Sequence, residues 1–118
     1  MLDNRKTALY CRTAQADDGV IENQKKILLS YAEKHGYDNT IIYTDNGISG
    51  STFNRPAMQS LFKHINDKMI STIIVTDFSR FSRNIFEAER VIIETLKKYN
   101  VRFIDASDNY QEETKTQF

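Results

Sequence analysis

Cysteine, proline and glycine are scarce in this 118-residue sequence, which has one cysteine, one proline, four glycines and no tryptophan. The lone thiol, Cys11, excludes an intrachain disulfide and a cysteine-built metal cluster, and it suits a reducing compartment. No apolar run nears the roughly 20 residues of a membrane span. The opening MLDNRKTALY lacks the apolar core of a secretion signal, so a cytoplasmic protein without membrane contact is expected. Net charge is also lacking, because sixteen Lys and Arg balance sixteen Asp and Glu. A domain that grips nucleic acid unaided carries a basic excess. A cationic site here would therefore be a local pocket, with weak DNA binding by this chain alone.

What is present alternates between two periods. TALYC (7–11), NTIIYT (39–44), STIIVT (71–76) and VRFIDA (101–106) read as buried strands. VIENQKKILLSYAEKHG (20–36) reads as a helix with Val20, Gln24, Ile27, Leu28, Tyr31 and Ala32 inward, capped by Asp17 or Asp18 and ended at Gly36. NRPAMQSLFKHI (54–65) reads as a second helix, with Asn54 as cap, Pro56 in the first turn and Met58, Leu61, Phe62 and Ile65 inward. NIFEAERVIIETLKKYN (84–100) reads as the longest helix, with Asn84 and Glu87 at capping-box spacing and Ala88, Val91, Ile92, Thr95, Leu96 and Tyr99 inward. DNGISGST (45–52) has loop composition, and SDNYQEETKTQF is a polar end with no period. The pattern predicts one α/β domain over 1–118. It is a three-layer sandwich on a mainly parallel sheet of about four to five strands, with a tail over about 108–118.

In such sheets ligands bind beyond the carboxyl ends of the strands. Arg12, Arg55, Arg80 and Arg83 all fall near that rim. Guanidinium forks match phosphate oxygens in pairs and can stabilise charge that develops there. The bland alternative is four unrelated surface arginines. Asp45, Asp77 and Asp105 end three strands, and they either hold Mg²⁺ or cap turns and helices. Gln24 is either a buried amide that orients Arg12 or a partly exposed helix residue. His35 and His64 read as surface residues and Cys11 as a buried inert thiol. The glycines of DNGISG fit either an anion nest or a plain turn.

In order, YCR after the first strand, IENQ, YTDNGISG, NRPAM and DFSRFSRN resemble the catalytic domain of serine site-specific recombinases, the resolvase and invertase group. The likeness is greatest to the large serine recombinases of mobile elements, and it covers about residues 7–110. The resemblance implies a resolvase-like fold and DNA cleavage by a serine through a 5′-phosphoserine link. Strand exchange in a tetramer follows, without metal or cofactor. It implies phosphate-holding roles for Arg12, Arg80 and Arg83, and supporting roles for Tyr10, Gln24, Asp45, Arg55 and Ser79. Ser79 stands where many members have aspartate. The resemblance also implies a downstream helix that builds the dimer or tetramer, and DNA-reading domains, all outside this chain.

The serine itself is missing. The YxRxS pattern puts it at residue 14, which is Ala14. An alanine methyl cannot attack phosphorus. Thr13 is the nearest hydroxyl, but strand alternation turns it to the opposite face. The chain is therefore expected to be an inactive recombinase catalytic domain. One alternative is a degenerate module kept for oligomerisation or regulation. Another is a Mg²⁺-dependent α/β nuclease or receiver-like domain built on Asp45, Asp77 and Asp105.

Overall fold

The structure, a computed structural model, describes residues 4–50 and 54–107. Each apolar run becomes a strand: β1 (Lys6–Thr13), β2 (Thr40–Asn46), β3 (Ile70–Val75) and β4 (Arg102–Asp105). They form one all-parallel sheet in the order β2-β1-β3-β4. The expected α/β sandwich on a parallel sheet is what is found, with four strands among the described residues. The expected tail, 108–118, lies outside them.

Alternation along β1 divides the core. Leu9 and Cys11 face helix α1 (Asp18–Lys34), together with Ile21, Leu28, Ala32, Ile74 and Ile104. Ala8 and Tyr10 face the other way, towards α2 (Pro56–Asn66) with Met58, Leu61 and Ile65. Cys11 is buried, as expected, and burial pushes its thiol pKa up to about 11.

Several boundaries differ from the sequence expectation. β1 and β2 each run two residues further, so Arg12, Thr13 and Asp45 lie inside strands rather than beyond them. The helix α1 begins at Asp18, and the Asp17 side chain accepts from the Val20 amide. Gly36, at φ +84°, follows its end in the left-handed region that glycine favours. On α1 it is Ile21 that is buried, while Ile27 is 44% exposed. Gln24, Leu28 and Ala32 are buried as expected, and Val20 and Tyr31 are half-buried.

Asn54 does not cap α2. Its side chain accepts from the Gln59 amide group, and the first turn of α2 is capped from β2 by Asp45. A single helical turn, α3 (Phe78–Phe81), follows β3. The expected helix over 84–100 is α4 (Ile85–Val91), which widens into a π turn (Ile92–Leu96). Leu96 of its expected inner stripe is buried, and Val91, Thr95 and Tyr99 are half-buried. The side chains of Glu87, Ala88 and Ile92 lie outside the described set. His64 is no isolated surface residue, since its Nδ1 lies 2.6 Å from the Tyr43 hydroxyl.

Candidate active site

The carboxyl ends of β1 and β3 lie at the point where strand order reverses, which is where doubly wound sheets form their sites. Arg12 leaves β1 there and is 2% exposed. Its Nε donates to the Arg80 carbonyl at 3.0 Å, Nη1 to Ile48 at 2.9 Å and Nη2 to Ser79 at 2.7 Å. Its own backbone is held by Gln24. The amide N of Arg12 donates to Oε1 at 3.0 Å, and Nε2 returns a bond to the Arg12 carbonyl at 2.9 Å. Gln24 is thus the buried amide that orients Arg12.

Arg55 is fully buried. Its Nη1 donates to the Tyr10 hydroxyl at 3.0 Å and to the Arg80 carbonyl at 3.1 Å, and Nη2 donates to the Phe81 carbonyl. The Tyr10 hydroxyl donates onward to Asp45 Oδ2 at 2.6 Å. Asp45 also accepts the amides of Ala57 and Met58 at 2.8 and 3.1 Å. A buried carboxylate, phenol and guanidinium therefore run in series from β2 to the turn that carries Arg80. Burial first, then the Asp45 bond, raises the Tyr10 pKa well above its ordinary value.

Arg80 and Arg83 differ from these two. Arg80 is half-buried. Its Nη1 donates to the Arg12 carbonyl at 3.1 Å, and its Nε lies 3.6 Å from Asp77, an ion pair beyond hydrogen-bond reach. Arg83 is exposed, and its guanidinium makes no hydrogen bond or ion pair to a described residue. Its backbone amide donates to Gly50 at 2.9 Å. The Arg12 pKa is lowered by burial and then by the charges of Arg55, Arg80 and Arg83. The structure thus brings the four arginines into one electrostatic neighbourhood.

Gly50 is one of the two glycines read as an anion nest or a plain turn, and the structure gives it a further part. A β-carbon there would lie 2.5 Å from Arg12 Nη2 and 2.6 Å from Cζ, so the loop backbone lies directly on the guanidinium. The Gly-rich composition of DNGISG was the available signal. The three carbonyls on Arg12 had none, because any residue supplies a carbonyl.

Ala14 follows the end of β1 and is exposed. Alternation along β1 puts Thr13 on the side of Cys11, opposite Arg12. The Thr13 hydroxyl donates to the Gln15 carbonyl at 3.0 Å, which turns it back on its own loop. Ser79 is exposed, and its hydroxyl and amide both donate to Asp77. A cleft of about 760 Å³ opens behind Arg80, between the start of α1 and the ends of β3 and β4, with Asn23, Gln24, Thr76 and Asp77 in its wall.

The three aspartates proposed for Mg²⁺ serve other groups. Asp45 caps α2, Asp77 caps α3, and Asp105 accepts from Phe78 N, Ser107 N and the Ser107 hydroxyl. No helix among the described residues is long and apolar enough to cross a membrane.

Residues 7–118 match the family described as Resolvase, N terminal domain. A Bacillus subtilis (strain 168) protein described as "Putative DNA recombinase" is 27% identical over 107 residues. The match takes in 87% of this chain but about a fifth (21%) of that relative's length. Among solved structures, the N-terminal catalytic domain of TP901-1 integrase superposes with a TM-score of 0.80 at 31% identity, covering 86% of this chain and 77% of that one. The C-terminal catalytic domain of ISC1926 TnpA, an IS607-like serine recombinase, shares the fold with a TM-score of 0.75 at 24% identity, over 92% and 75% of the two chains.

Proposed function

The chain belongs to the Resolvase N-terminal domain family, and on that premise we propose that it is a serine-recombinase catalytic domain unable to cleave DNA. One observation carries this reading: the residue two beyond Arg12, exposed just past the end of β1, is Ala14. In the mechanism that the resemblance implies, a serine oxygen there attacks the phosphodiester, and the bond energy is kept in a 5′-phosphoserine link until religation. With a methyl group at that position the covalent step has no nucleophile, and Thr13 faces away.

The rest of the pocket remains suited to a phosphodiester. Arg83 offers a guanidinium free of described partners, and Arg80 stands beside it. Arg12 and Arg55 hold the carbonyls that shape the turn, so their part is to position Arg80 and to keep positive charge behind it. No metal or cofactor is needed for this role. The whole protein would engage DNA, and would form a dimer or tetramer through a downstream helix, with this domain contributing weak DNA affinity. A second reading, a module kept for oligomerisation or regulation, is favoured by the same Ala14.

A pool of nicked duplexes, followed by a denaturing gel for protein-linked DNA, tests the proposal. The native chain is expected to give no adduct, and Ala14→Ser is expected to give one that phosphatase does not remove. An adduct with the native chain overturns the proposal. Absence of an adduct with folded Ala14→Ser shifts the choice to the non-catalytic module.

A further inference from the structure

The two edges of the sheet are unlike. β4 has four residues and opens on the exposed Arg102. β2 has seven, and its first five, Thr40-Ile41-Ile42-Tyr43-Thr44, carry no charge and no proline. Exposed strand edges are ordinarily blunted by lysine, proline or shortness, because a row of unpaired N–H and C=O groups recruits another strand. β2 has none of these protections over Thr40–Thr44. Ile42 is 38% exposed beside it, on the face that α1 only partly covers, and Leu29 of α1 is also exposed. We propose that β2 is a self-association edge, at which two copies of this chain pair β2 with β2 antiparallel to make one continuous sheet.

The backbone sets the register. The Asn39 carbonyl accepts from Thr7 of β1. Successive residues of a strand direct their backbone groups to opposite edges, so Ile41, Tyr43 and Asp45 also turn inward to β1. Thr40, Ile42 and Thr44 then turn outward. An antiparallel pair uses outward residues opposite outward residues. Centring the two-fold axis on Ile42 meets that condition throughout: Ile42 faces Ile42, and Thr40 faces Thr44. The inward residues Ile41 and Tyr43 fall opposite each other between them. Extending the register sets Asp45 against Asn39 and Asp38 against Asn46, so no like charges oppose each other. β-Branched and aromatic cross-strand pairs are the stabilising kind. An isologous contact of this type closes as a dimer and leaves no further edge on that side.

Sedimentation equilibrium of the chain, up to about 1 mM, reads the association directly. The expected result is a reversible dimer whose dissociation constant rises at least about tenfold in Ile42→Lys. Ile42→Cys supplies a second readout. The central pair of that register has Cα atoms about 5.5 Å apart, within disulfide range, so this variant is expected to cross-link on mild oxidation. Thr40→Cys, opposite residue 44, is expected not to. A monomer at all concentrations, a dimer indifferent to Ile42→Lys, or cross-linking at position 40 instead of 42 overturns the proposal.

Discussion

Arg12 and Arg55 are as buried as the leucines of the core, whereas Arg83, on the same rim, is open to solvent. The difference lies in what meets each guanidinium. Arg12 and Arg55 donate to backbone carbonyls of Ile48, Ser79, Arg80 and Phe81, which are groups of the loops themselves. The Arg83 guanidinium donates to none of the described residues. A guanidinium presents five donors in a rigid plane and stays charged. Buried, it can tie several loops at once, as a lysine cannot. Exposed, the same fork is available to a phosphate. Two arginines build the rim and one or two serve it, a division that can be broken from either side.

The largest effect is expected at Arg55. Arg55→Ala takes from the Phe81 carbonyl its guanidinium donor, leaves the Arg80 carbonyl with Arg12 alone, and leaves the Tyr10 and Asp45 pair without its cation. Breaking a buried charged network of this kind costs about 3–5 kcal/mol. Urea unfolding should show the midpoint fall accordingly. An Arg55→Ala domain as stable as the native chain would mean that Arg55 does not brace the rim.

Gly50→Ala tests the brace from the loop side. The added carbon meets Arg12 at 2.5 Å, so either the loop or the guanidinium must move. Overpacking of this sort costs about 1–3 kcal/mol. Amide exchange in 47–50 should rise with it, since Arg12 Nη1 holds the Ile48 carbonyl.

Tyr10→Phe sharpens the comparison by removing one hydroxyl between Asp45 and Arg55, at about 1–2 kcal/mol. It also carries a pH signature. The folded Tyr10 pKa is raised above its ordinary value of 10.0, chiefly by burial. The unfolded chain then loses its proton first. Stability from this group is full below about pH 10 and falls as pH rises beyond it. Tyr10→Phe should flatten part of that alkaline decline. An unchanged slope would place the titration elsewhere.

The strands and the parallel sheet were legible because β-branched runs separated by helical periods admit few other packings. The arginines were legible as a set, but their division was not. Arg12 and Arg83 both follow a strand in sequence, and what distinguishes them is the carbonyls that fold back over one of them. Carbonyls have no sequence signature. Asp45 reads equally as loop aspartate, metal ligand or cap, and only the approach of Ala57 and Met58 decides for the cap. The turn Phe78–Phe81 is too short for a periodic signal, and the Tyr43–His64 contact joins residues 21 apart. Ile27 looked inward because the helix phase was set from apolar identity alone, which cannot weigh Ile21 against Ile27.

The smallest effect on the fold, and the most telling one, is expected at Arg83. Arg83→Ala removes no described hydrogen bond of the side chain, so stability should stay within about 0.5 kcal/mol of native. If Arg83 is the guanidinium offered to a phosphodiester, its loss should appear in DNA binding alone. Each phosphate contact contributes about 0.9 to the slope of log affinity against log salt on duplex DNA, and Arg83→Ala should lower that slope by about one contact. Fluorescence anisotropy with a labelled duplex across a salt series measures it. An unchanged slope with an unfolding midpoint that falls like that of Arg55→Ala would erase the distinction between braces and rim. An unchanged slope with native stability would move the phosphate contact to Arg80, whose Nη1 bond to Arg12 would then have to open on binding.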